Sequence, residues 1–60
     1  MRILIVEDEP KAREGLAALV RRLENQALVQ TASNGAEALA LCEKAVYDII
    51  FTDIRMPKVS

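Results

Sequence analysis

The chain has 60 residues, 52% of them hydrophobic and 28% charged, with a formal net charge of −1. That balance belongs to a small folded domain and excludes a disordered, highly charged tail. A charge so close to zero, with eight basic residues spread along the chain, also excludes an electrostatic footprint for nucleic acid or for an anionic membrane.

Met1-Arg2 leads straight into Ile3-Leu4-Ile5-Val6, a β-branched run without alternation. Such a run predicts a strand buried on both faces, as in a parallel sheet. It is far shorter than the roughly 20 apolar residues that cross a bilayer, and the opening residues lack the layout of a secretory leader. Glu7-Asp8-Glu9 ends the strand. Pro10 suits the first position of a helix, with Glu9 beside the cap. Ala12, Leu16, Leu19, Val20 and Leu23 then recur at spacings of 4, 3, 1 and 3, which predicts one apolar helix face. Gly15 lies inside this helix and costs it about 1 kcal/mol relative to alanine. Arg21-Arg22 reads as a solvated helix end, favourable there for the helix dipole. Asn25-Gln26 marks the exit.

Leu28-Val29-Gln30-Thr31-Ala32 predicts a second, more polar strand, and Ser33-Asn34-Gly35 a turn. Asn34 followed three residues later by Glu37 resembles a capping box, so a second helix is expected to start there. Ala38, Leu41, Cys42 and Ala45 supply its apolar face. Cys42 is expected in the core, because a free cysteine behaves as a small buried hydrophobe. A single cysteine cannot form an internal disulfide and fits a reducing cytosol. Tyr47 is expected to pack at a helix–strand junction. Ile49-Ile50-Phe51-Thr52 predicts a third buried strand, and Asp53-Ile54-Arg55-Met56-Pro57 opens a loop, since Pro57 turns Met56 away from helical geometry.

The order is β-α-β-α-β, which implies a parallel sheet with right-handed crossovers. All strands of such a sheet end at one edge. If the first and third strands are neighbours, Glu7, Asp8 and Asp53 converge at the kind of position where doubly wound folds bind ligands. Carboxylates crowded together repel one another unless a cation intervenes. A hard divalent ion such as magnesium suits one or two carboxylates and several waters. Glu9 reads instead as a cap or a solvated loop residue.

Three segments resemble the receiver domain of two-component response regulators. They are Ile3-Leu4-Ile5-Val6-Glu7-Asp8-Glu9-Pro10, Ala32-Ser33-Asn34-Gly35-Ala36-Glu37-Ala38-Leu39 and Thr52-Asp53-Ile54-Arg55-Met56-Pro57. The similarity covers the whole chain in order. It implies a partial flavodoxin-like α/β fold with parallel strands in the order 2-1-3. It implies that residues 1–60 are the N-terminal half of a receiver domain, ending after the third strand. It casts Asp53 as the phosphoacceptor, Asp8 as a direct ligand of Mg2+, Glu7 as a partner that holds the metal through water, and Arg55 as a contributor of its backbone carbonyl. The family's acidic pair is most often two aspartates, so Glu7 departs from it by one methylene.

The implied partner is a sensor histidine kinase, and the implied compartment the cytoplasm, with no membrane contact. The chain would serve as a phosphoacceptor module rather than an enzyme. An output domain, DNA-binding in regulators with similar wording around Asp53, would follow downstream. Complete receiver domains place a hydroxyl residue after strand four and a lysine after strand five. Thr31, Thr52, Lys44 and Lys58 do not match those positions, so phosphorylation of these sixty residues alone is expected to be impaired. Their third strand would have no neighbour on one side and is expected to drive homo-oligomer formation.

Two other chemistries fit less well. Phosphatases of the haloacid dehalogenase type need a second aspartate two residues after the nucleophile, where this chain has Arg55, and their nucleophile follows the first strand. A nucleotide-binding module needs a glycine-rich turn after strand one, where this chain has Glu7-Asp8-Glu9-Pro10. A non-signalling fragment that serves only as a folding or interaction unit is the remaining alternative.

Overall fold

The structure, a computed structural model, describes residues 1–52. Its elements are β1 (Arg2–Val6), α1 (Pro10–Leu23), β2 (Leu28–Ala32), α2 (Gly35–Lys44) and β3 (Ile49–Thr52). The three strands form one sheet in the order β2-β1-β3, and both pairings are parallel. The partial flavodoxin-like fold implied by the resemblance is therefore the observed one. The first crossover runs from β1 out to β2, and the second runs back past β1 to β3. With one handedness for both, the two helices cover opposite faces of the sheet.

β1 is central, which explains its unbroken apolar run. Ile3, Leu4 and Ile5 are fully buried, each stabilising the fold by roughly 1.5–3 kcal/mol relative to exposure. Alternation sends Ile3 and Ile5 to one face, where they pack with Val29 of β2 and with Ala17 and Val20 of α1. Leu4 and Ala32 are buried outside that cluster.

α1 starts where Pro10 and Glu9 predicted: Glu9 is the N-cap, its side chain accepting from the Ala12 N–H, and Pro10 is the first helical residue. Of the expected apolar face only Val20 is buried, and it is joined by Ala17, which that face did not include. Ala17 and Val20 are buried, whereas Ala12, Leu16, Leu19 and Leu23 are exposed, Leu23 at 72%. Ala17 and Val20, three residues apart, pack on the cluster of Ile3, Ile5 and Val29, and the leucines lie to the side of it.

α2 follows the same logic. Ala38, Leu41 and Ala45 are half-buried, but Cys42 is exposed, contrary to the core position expected of it. It sits one residue, about 100° of helix rotation, round from Leu41, and a helix with no fully buried residue does not enclose it. β3 is open on one side among the described residues, as expected of a third strand without a further neighbour. All four of its residues are exposed, including Ile50 at 50% and Phe51 at 43%. Its composition is that of a buried strand, but among the described residues only β1 lies against it. Tyr47 is half-buried between α2 and β3, its hydroxyl hydrogen-bonded to Gln30, as its junction position predicted.

Asp48 anchors the opposite edge of the sheet. Its carboxylate accepts the Arg2 N–H at 2.8 Å, and its own N–H donates to the Arg2 carbonyl at 2.8 Å. That exchange sets the register Ile3↔Ile49 through Val6↔Thr52.

Candidate functional site

The register decides what meets at the carboxyl edge. Val6 pairs with Ala32 on one side and with Thr52 on the other, so all three strands end level. The residues next in sequence are Glu7, Ser33 and Asp53. An open cleft of about 300 Å3 lies at this edge, lined by Val6, Glu7, Asp8, Ser33, Asn34, Gly35 and Thr52. Glu7 and Asp8, read from the sequence as site residues, are both on its wall. Asp53 and the Arg55 carbonyl, the other two, lie outside the described residues.

Glu7 is a buried carboxylate, only 6% exposed, and a buried charge must be hydrogen-bonded. One of its oxygens accepts the Glu9 N–H at 2.9 Å. Its backbone N–H continues the ladder to the Ala32 carbonyl at 3.0 Å, and its carbonyl accepts from the Arg13 guanidinium at 3.1 Å. Asp8, one residue on, is exposed at the cleft. The two acids thus have different surroundings: Glu7 is built into the loop that it starts, and Asp8 faces solvent.

The opposite wall is the start of α2. Asn34 caps the helix by accepting the Glu37 N–H at 2.8 Å, and the Glu37 carboxylate accepts the Ser33 N–H at 2.9 Å. The predicted capping box is present, with the return bond going to Ser33 rather than to the cap residue itself. The Ser33 N–H holds the Glu37 carboxyl below its ordinary value of 4.5; the Ser33 side chain and the Arg13 charge push the same way, and slight desolvation opposes them. Ser33 and Arg13 were not singled out from the sequence. A signal for Arg13 exists: it stands four residues after the cap Glu9, one helical turn into α1, where a long side chain can reach back over the acid loop.

A hard cation is compatible with this edge. The donors are carboxylate oxygens, with no thiolate or imidazole among the lining residues, and the cleft is open enough for a metal that keeps several waters. Among the described residues no group of three or more acid, cysteine or histidine side chains comes together as a metal site; the third expected acid is Asp53, which is not among them. A second groove, about 350 Å3, runs between α1 and β3 and is lined by Ile5, Val6, Glu7, Leu16, Phe51 and Thr52. Its mainly hydrophobic walls suit packing rather than phosphate or metal chemistry.

Residues 3–60 match the family described as the response regulator receiver domain. Over 58 residues the chain is 52% identical to the positive alginate biosynthesis regulatory protein of Pseudomonas aeruginosa, a match that takes in 95% of this chain and 23% of that protein. It is 37% identical over 60 residues to the transcriptional regulatory protein BtsR of Escherichia coli, covering 100% of this chain and 25% of that protein. With the gliding motility regulatory protein of Myxococcus xanthus it shares 41% identity over 59 residues, 98% of this chain and 7% of that protein. The chain spans about a quarter or less of the length of these curated relatives.

Proposed function

Because the chain belongs to the response regulator receiver domain family, we propose that its carboxyl-edge cleft accepts a phosphoryl group on Asp53 from a sensor histidine kinase. The observation that carries the reading is the level end of β1 and β3. Val6 is paired with Thr52, so one peptide bond leads from the paired strands to Asp53 just as one leads to Glu7 and two to Asp8. An Asp53 carboxylate oxygen forms the new O–P bond, the P–N bond to the kinase histidine breaks, and the imidazole nitrogen keeps the electron pair. Such a transfer is governed by positioning and by neutralisation of the charge on the phosphoryl oxygens.

Mg2+, held directly by Asp8 and Asp53, through water by Glu7 and by the Arg55 carbonyl, would supply that neutralisation. The surroundings of the two described acids support this division. Asp8 is exposed on the wall of the cleft, and Glu7 is buried with one oxygen accepting the Glu9 N–H, which suits an indirect role. The chain acts in this reading as a phosphoacceptor module, not as an enzyme with its own turnover. Its compartment is the cytoplasm, and no described helix is long and apolar enough to cross a membrane. The names of the relatives suggest that the phosphorylated state is passed to an output segment that regulates transcription.

Treatment with acetyl phosphate followed by intact-mass and peptide mass spectrometry tests the assignment. In a polypeptide of the relatives' length, one added phosphoryl group is expected on the peptide containing Asp53, and none in Asp53→Asn. The sixty residues alone contain neither the hydroxyl nor the lysine of the family's later strands, and are expected to label slowly or not at all. Labelling that survives Asp53→Asn refutes the assignment.

A further inference from the structure

The acid loop is closed on itself by hydrogen bonds from both of its ends. The Glu9 N–H donates to the Glu7 carboxylate at 2.9 Å, the Ala12 N–H to the Glu9 carboxylate at 2.8 Å, and the Arg13 N–H to the Glu9 carbonyl at 2.9 Å. The Arg13 guanidinium then reaches back from the start of α1 to the Glu7 carbonyl, at 3.1 Å. That carbonyl belongs to the peptide unit whose other end is the Asp8 N–H and Cα. A peptide is planar, so holding the direction of its C=O holds the plane that carries Asp8.

We propose that Arg13 is a positioning residue for the acid pair, its guanidinium fixing the Glu7–Asp8 peptide so that the Asp8 carboxylate is presented to the cleft. The inference rests on the metal-assisted phosphoacceptor reading above. Arg13 is half-buried and stands on a rigid element, and a planar guanidinium loses little freedom when it orients a carbonyl. Its charge also helps to lower the pKa of Glu37, whose carboxylate accepts the Ser33 N–H on the far wall. A guanidinium there has two opposed effects on a bound cation. Its charge repels the cation, whereas its hydrogen bond orders the ligand loop. The proposal is that ordering prevails, so the two effects predict opposite signs for removing Arg13.

Amide hydrogen exchange and Mn2+ titration of Arg13→Ala and Arg13→Lys, each in a polypeptide of the relatives' length, provide the test. Without metal, the Glu9 amide of Arg13→Ala is expected to exchange roughly tenfold faster, the factor for losing one charge-assisted hydrogen bond. The amide of buried Leu4 should keep its rate. Arg13→Lys, which retains a cationic donor, should recover most of the protection. Mn2+ broadening of the Asp8 amide should then require about tenfold more metal in Arg13→Ala, as for loss of a residue that orients a metal ligand. An unchanged Glu9 rate, equal acceleration at Glu9 and Leu4, or tighter Mn2+ binding in Arg13→Ala would each overturn the proposal. Absence of Mn2+ broadening in the wild type instead removes the metal reading, and the exchange rates still decide the role of Arg13.

Discussion

Three consecutive acids do three different things. Glu7 is buried and ties the loop together, Asp8 is exposed at the cleft, and Glu9 caps α1. A single methylene separates Glu7 from the aspartate more usual in the family, and its carboxylate accepts the Glu9 N–H two residues on. Asp8→Asn is expected to abolish most Mn2+ binding, measured by paramagnetic broadening; equal broadening in wild type and variant would remove Asp8 from the metal site. Across the cleft, Glu37 has a folded-state pKa below its ordinary 4.5. As pH falls, the unfolded chain therefore takes up this proton first. The stabilisation from Glu37 is complete above 4.5 and is lost as pH drops through the lowered folded value. Glu37→Gln should lower Tm at neutral pH and flatten the acid-side decline of Tm, read by circular dichroism at a series of pH values. An unaltered pH profile would show that the Ser33–Glu37 bond contributes nothing in solution.

At the scale of elements, α1 is legible at its start and ambiguous around its circumference. Glu9-Pro10 sets the first turn through capping and a fixed φ, both local effects. Which of its apolar residues are buried depends on how the helix lies on the sheet, where Ala17 and Val20 meet Ile3, Ile5 and Val29. Gly15 lies within α1 with open space where a Cβ would project and without a positive φ. Gly15→Ala is therefore expected to stabilise the protein by about 1 kcal/mol through helix propensity, seen as a higher urea midpoint at unchanged m. A lower midpoint would mean that some contact of this helix face had been overlooked. α2 shows the same separation of levels: Asn34 and Glu37 fix its start, but Cys42 follows from which neighbours exist to cover it.

At the scale of the molecule, the sheet is well covered at β1 and bare at β3. Among the described residues nothing pairs with the outer edge of Ile49–Thr52, and an unpaired apolar edge is a template for another strand. Among the described residues the core has seven buried hydrophobic side chains, which leaves little stability to spare. Produced as these sixty residues, the protein is expected to be either a homo-oligomer or largely unfolded. In the oligomer, a two-fold axis normal to the sheet would pair β3 antiparallel with its mate and extend the order to 2-1-3-3-1-2. The two carboxyl edges would then point in opposite directions, so two copies would not rebuild one site. Analytical ultracentrifugation with circular dichroism decides between the two states. A compact folded monomer at micromolar concentration would contradict both.

The sequence by itself determined the element order, the starts of both helices and the acids that follow β1, and its resemblance to receiver domains implied the central place of β1. The helix starts follow from interactions within a few residues: capping by Glu9 and Asn34 and the fixed φ of Pro10. Tertiary structure alone decided which α1 residues join Val20 against the sheet, why Cys42 is exposed, and that Arg13 reaches the Glu7 carbonyl. Each of these depends on the distance between elements that are separate in the chain, and on what lies beyond them. Helical and strand periods specify faces, but only packing specifies which face is covered.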